Sequence, residues 1–74
     1  RSIQLYPNPV KDILSIKSKA IVISKVGIYS VLGKKINEVK SNFESIGISN
    51  LSNGLYIIRI FSDKGSITKR IIKR

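Results

Sequence analysis

In three separate stretches of this chain the apolar residues fall at every second position. Leu14 and Ile16 alternate with Ser15 and Lys17, Val26 and Ile28 with Gly27 and Tyr29, and Ile46 and Ile48 with Gly47 and Ser49. A strand sends successive side chains to opposite faces, so this spacing gives each segment one buried and one solvated face. A helix would need a period of 3.6. Residue choice agrees: fifteen isoleucines against one alanine favour the pleated sheet, where β-branched side chains pack well. Turn signals interrupt the pattern roughly every eight to twelve residues, at "PNPVKD", "SKA", "SVLGKK", "KSNFE", "NLSNG" and "SDKGS". Seven strands are predicted, at about 2–6, 13–17, 22–30, 34–40, 44–49, 54–62 and 65–73. Short connections make neighbours antiparallel, and the clearest hairpin turns at Asp63-Lys64-Gly65. The fold class is all-β, an antiparallel β-sandwich.

The stretch "LYPNPVKDIL" places two prolines around one asparagine. Proline fixes its own φ, lacks an N–H and pushes the preceding residue into an extended conformation. Tyr6 and Asn8 are therefore expected to be extended, and the stretch is excluded from the middle of a central strand. It reads as a stiff exit from the first strand, then a turn through Pro9-Val10-Lys11-Asp12. The Asp12 carboxylate suits that turn by accepting from nearby backbone amides. Gly33 supplies a turn position of positive φ, and Gly54 ends the turn before "LYIIRIFS".

That strand places Tyr56, Ile58 and Ile60 on one face and Leu55, Ile57, Arg59 and Phe61 on the other. With both faces apolar, it is either central and covered or presents a sticky outer face at Leu55, Ile57 and Phe61. Partial cover by long Lys and Arg stems is the alternative. Tyr6 and Tyr56 stand where core anchors belong. The basic ending "TKRIIKR" puts Lys69, Arg70 and Lys73 at the end of the chain, and Lys73 is expected to be solvated.

Composition narrows the chemistry. At 74 residues the chain is one small domain of modest stability. It has no cysteine and no histidine, which removes disulfides and most general-base, thiol and metal-site arrangements. The acids Asp12, Glu38, Glu44 and Asp63 lack the spacing of a metal loop, no serine has a base partner, and "VLGKK" is not a phosphate-binding loop. No catalytic residue, metal or cofactor is expected. Fourteen basic residues against four acidic ones give +10, which suits either a polyanion partner or a solubilising surface. The aromatics are scattered and form no stacking run, so specific nucleic-acid binding is not expected. No apolar run in these residues approaches the roughly 20 of a membrane span or reads as a signal peptide, and any N-terminal targeting signal is expected to belong to the part of the protein that precedes them. The start at Arg1 and the absence of methionine lead to the expectation that residues 1–74 are one domain cut from a larger protein.

Taken together, "LYPNPVKDILSI", "VGIYSVLGKKI", "ISNLSNGLYIIRI" and "TKRIIK", in this order from Leu5 to Lys73, resemble the type A C-terminal sorting domain of type IX secretion in Bacteroidetes. The resemblance implies an immunoglobulin-like β-sandwich that acts as a non-catalytic address. Its implied partners are the type IX translocon with its shuttle and sortase-like peptidase components, and an anionic lipopolysaccharide to which cargo is joined. The implied route runs through the periplasm to the cell surface or the medium, as a monomer, with removal of the domain after export. Under this resemblance Tyr6, Pro7, Asn8 and Pro9 mark the boundary after the cleavage region. With Lys69, Arg70 and Lys73 they are the recognition candidates. Leu55, Ile57 and Phe61 form a second candidate surface, and Asp12, Gly33, Gly54 and Tyr56 belong to the structural motif. Ser30 departs from the family, which more often has Asp or Asn before the Gly-Lys turn. Serine makes a similar, weaker turn hydrogen bond, so the turn is expected to survive. Two other readings stay open: an immunoglobulin-like adhesion or stalk domain, and a basic polyanion-binding module.

Overall fold

Seven strands form in a computed structural model that describes residues 3–74. They are β1 (Ile3–Tyr6), β2 (Ile13–Ser18), β3 (Ile23–Ser30), β4 (Lys35–Val39), β5 (Ile46–Gly47), β6 (Gly54–Ser62) and β7 (Gly65–Lys73). The expected start of the first strand at residue 2 lies outside the described residues. Two sheets pack face to face, one ordered β1-β2-β5 and the other β4-β3-β6-β7, and every named strand pair is antiparallel.

The period-two residues become the core. Leu14, Ile16, Ile46 and Ile48 meet Val26, Ile28, Tyr56, Ile58, Ile60 and Ile71, all buried. Tyr56 is fixed twice, since its ring packs in the core and its hydroxyl donates to the Ser52 carbonyl at 2.6 Å. Tyr6 does not share that role. In β1 the inward parity belongs to Ile3 and Leu5, so Tyr6 points outward and is 39% exposed.

Strand β5 is much shorter than expected, because a turn at each end cuts its ladder with β2: the Ser45 amide bonds the Asn42 carbonyl before it and the Leu51 amide bonds the Ile48 carbonyl after it, both at 3.0 Å. The flanking residues still lie along β2. The Ile16 amide bonds the Phe43 carbonyl at 2.9 Å, and the Ile48 amide bonds the Asp12 carbonyl at 2.8 Å. Asp12 thus serves this junction through its main chain rather than through the carboxylate expected from the sequence.

The two prolines mark a change of sheet. β1 pairs with β2, yet Val10 forms a parallel bridge with Lys73 of the other sheet. Between them both X–Pro bonds, Tyr6–Pro7 and Asn8–Pro9, are cis. Proline brings no N–H to a crossing where no ladder partner exists. Val10 is fully buried, its amide bonding the Ile72 carbonyl at 2.7 Å and its carbonyl accepting from Arg74 N at 2.9 Å. The expected turn through Pro9-Val10-Lys11-Asp12 is thus a bend that sends Val10 into the core, while Pro9, Lys11 and Asp12 stay exposed.

The turn after β3 forms with serine in place. Ser30 Oγ accepts from the Lys34 amide at 3.2 Å, the Ser30 carbonyl accepts from Gly33 N at 2.9 Å, and Gly33 takes a φ of 89°. The β6–β7 hairpin pairs without interruption from Gly54↔Lys73 to Ser62↔Gly65, leaving Asp63 and Lys64 as the turn. Asp63 is anchored to the entry of β3, its carboxylate accepting from the Val22 amide at 2.9 Å.

Candidate recognition surface

The N-terminal corner and β7 come together through a side chain that imitates a strand. In a parallel ladder a residue donates to the residue before its opposite number and accepts from the residue after it. Val10 does this around Lys73. The Asn8 carboxamide does the same around Ile71: its Oδ1 accepts from Ile72 N at 3.0 Å and its Nδ2 donates to the Arg70 carbonyl at 3.4 Å. Asn8 and Val10 thus extend one another along the outer edge of β7.

This arrangement places Tyr6 and Asn8 beside Lys69 and Arg70, around a shallow groove floored by Ile3 and Leu5. Pro7 and Pro9 complete the exposed corner. Six of the seven residues singled out for recognition are exposed in this region.

Lys73 is the exception. It is 6% exposed, stands opposite Gly54 and beside Val10, and shares the inward parity of Ile71. The alternation of β7 runs through to its last residue, so the aliphatic stem of Lys73 is packed as a core element and the expected solvated side chain is not found.

The outer face of the larger sheet is less sticky than its composition suggests. Phe61 is half-buried, with Lys25 Nζ 4.8 Å and the Arg59 guanidinium carbon 5.7 Å from its ring centroid. Basic stems and cation–π contacts cover it. Ile57 is also half-buried, so the exposed apolar surface narrows to the cross-strand pair Leu55 and Ile72. Nearby, the Tyr29 ring lies over Gly27, where an added Cβ would come within 2.8 Å of Tyr29 Cε1. Sequence reasoning passed over Val31 and Leu32 at the tip of the β3–β4 turn, where Leu32 is 93% exposed. The signal was available: two apolar residues inside a turn motif, where no core position exists.

Charge is unevenly distributed. Glu38 pairs with Lys35 and has Lys40 Nζ 3.8 Å away. The hydrogen bond between Lys35 and Glu38 raises the lysine from its ordinary value and lowers the carboxyl from its own; burial opposes both shifts and the mutual attraction of the charges reinforces them. Among the described residues these are the ion pairs, so most of the basic side chains stand unopposed. Neither β1 nor β7 carries an acid. Among the described residues no three potential metal-ligating side chains of the His, Cys, Asp and Glu set converge.

Two comparisons with known proteins bear on this surface. Residues 4–74 match the family described as the secretion system C-terminal sorting domain. The chain is also 37% identical over 76 residues to "Ulvan lyase NLR42" of Nonlabens ulvanivorans, an alignment that takes in 96% of this chain and 14% of that protein.

Proposed function

Since this chain belongs to the secretion system C-terminal sorting domain family, we propose that the type IX machinery reads it at the exposed corner Tyr6–Pro9 together with Lys69 and Arg70 of β7. Domains of this family are non-catalytic C-terminal signals for type IX secretion, and their cargo reaches the cell surface or the medium. The observation that carries the choice of surface is the pair of hydrogen bonds from the Asn8 side chain to β7. They hold two exposed segments from opposite ends of the chain in one rigid patch.

In this reading residues 1–74 are the sorting module of a longer protein, in line with the small share of the relative that aligns. The lyase activity in the relative's name belongs to that protein. An address that acts as a separate folded unit works whatever cargo precedes it. The domain travels through the periplasm, meets the shuttle and the translocon, and is removed by a sortase-like peptidase. The corner helps the last step by fixing where the preceding chain leaves the sandwich. Anionic lipopolysaccharide is the acceptor of cargo rather than a ligand of the domain, which acts as a monomer because a second copy would bring the same +10 charge. Polyanion binding is a second reading, favoured by the unopposed basic residues. Any such binding to duplex DNA is non-specific and falls steeply with salt.

The test is a fusion of residues 1–74 to the C-terminus of an unrelated periplasmic protein in a host with type IX secretion. Surface delivery is expected. A double change of Lys69 and Arg70 to Glu, in a protein that still melts normally, is expected to stop it, whereas Leu55→Ser is not. Retention of the parent fusion in the periplasm, with a proven sorting domain working in parallel, would reject the reading. Export that survives the double change but not Leu55→Ser would move the surface to the outer face.

A further inference from the structure

The edge of β7 is covered along half its length and open along the rest. Asn8 and Val10 occupy the rungs around Ile71 and Lys73, using Arg70 O, both polar groups of Ile72, and Arg74 N. In a strand the main-chain groups of alternate residues point to the same side. Ile72 points away from β6, so Arg70, Thr68 and Ser66 do too. The next two rungs, around Lys69 and Ile67, therefore present Arg70 N, Thr68 N and O, and Ser66 O outward. None of these has a hydrogen-bond partner among the described residues.

Beside these rungs β1 has already left for the other sheet. A groove of about 450 Å³ lies there, walled by Ile3, Ile21 and Ile67 and rimmed by Lys19 and Lys64. A second groove continues along the same side past Lys69 and Arg70.

We infer that this open half of β7 binds an extended acidic segment of a partner protein as an added strand. Main-chain bonds to Ser66, Thr68 and Arg70 supply the register. Lys19, Lys64, Lys69 and Arg70 supply the charge selection, and Ile3 and Ile67 offer apolar contacts for alternate side chains. A second copy of the chain is the wrong occupant, since both copies are strongly basic and, of its edge strands β1, β4, β5 and β7, only β4 carries an acid, Glu38, which is paired with Lys35. The inference rests on the reading above, because it names the chemistry of a partner at the same face.

The probe is a capped synthetic octapeptide alternating Glu and Val, compared with the same peptide N-methylated at every residue. The second peptide keeps the charge and cannot donate main-chain bonds. Chemical-shift changes and hydrogen exchange report the site. The unmodified peptide is expected to shift and protect the Thr68 and Arg70 amides, and N-methylation to weaken binding about tenfold or more. Thr68→Pro removes an outward N–H without touching the β6 ladder, so a folded variant is expected to lose the same binding. If that variant does not fold, the N-methylated peptide still decides. Equal binding of the two peptides, shifts centred on Leu55, Ile57 and Phe61, or no binding at about 1 mM overturns strand addition. Export separates the two claims. A folded Thr68→Pro fusion that exports normally while the Lys69/Arg70 change blocks export rejects strand addition and leaves the recognition face standing. Export indifferent to both rejects the face itself.

Discussion

The Asn8 carboxamide oxygen accepts a hydrogen bond from the Ile72 amide at 3.0 Å, across 64 positions of sequence. A side chain flanked by two prolines thereby does the work of a strand and closes the lower part of the sandwich's open side. Net hydrogen bonds contribute about 0.5–1.5 kcal/mol each. Asn8→Ala, losing two of them at an exposed site, is expected to cost about 1–2 kcal/mol in urea unfolding. The Ile72 amide should exchange faster with solvent, while core amides such as Ile58 follow only the global change. An Ile72 amide that keeps its protection would show that Val10 alone holds the corner.

Lys73 should behave as a core residue. Truncation to alanine removes buried methylenes and is expected to cost about 1–3 kcal/mol. Lys73→Met, which keeps most of the stem, should melt close to the parent. Lys69 shares the parity of Ile71 and Lys73 yet is exposed, so Lys69→Ala should stay within about 0.5 kcal/mol. Equal melting of the Lys73→Ala and Lys69→Ala proteins would contradict the burial.

Tyr56 separates ring from hydroxyl. Tyr56→Phe removes the bond to Ser52 O and is expected to cost about 1 kcal/mol. Tyr56→Ala leaves a cavity between the sheets and should cost about 3–5 kcal/mol, enough to unfold much of a marginal domain. Circular dichroism melts of the two variants check the order. If Phe proves as damaging as Ala, the hydroxyl matters more than the packing.

The Lys35–Glu38 pair sets a pH dependence whose sign follows from the shifts. The folded Glu38 carboxyl is held below its ordinary value by the bond to Lys35, so its contribution is present above the ordinary glutamate range and is lost as pH falls through the folded value. Lys35 is raised, so its contribution is present below the ordinary lysine value and is lost as pH rises through the folded one. Both groups are exposed and screened, and added salt should shrink both effects. Titration of the Glu38 carboxyl by NMR, with and without Lys35→Met, is expected to show the value return upward when the lysine is removed. No change would mean that the pair does not persist in solution.

Alternation in "DILSIKS" and "KVGIYS" identified not only strands but the faces they bury, because a side chain's direction in a strand depends on nothing beyond its own backbone. The turns were equally local. Ser30 and Gly33 close theirs with atoms four residues apart or fewer, so the serine substitution could be judged without the rest of the molecule. β5 shows where local reasoning stops: the apolar residues Ile46 and Ile48 were identified correctly, yet the turns at Asn42–Ser45 and Ile48–Leu51 took most of the ladder.

What the chain itself determined, then, is the set of strands, the buried parity of most of them, and the stiffness of the proline corner. Tertiary structure decided which strand lies beside which, and so it alone carried Val10 across to β7 and put Asn8 against Ile72. It also decided that the inward parity of β7 continues to Lys73, where a long aliphatic stem beside Val10 outweighs the expectation attached to a charge. The physical reason is the same in each case. Period-two spacing states that a strand has two faces, but cover on a face and a partner on an edge come from residues distant in sequence, 63 positions for Val10 and Lys73 and 64 for Asn8 and Ile72.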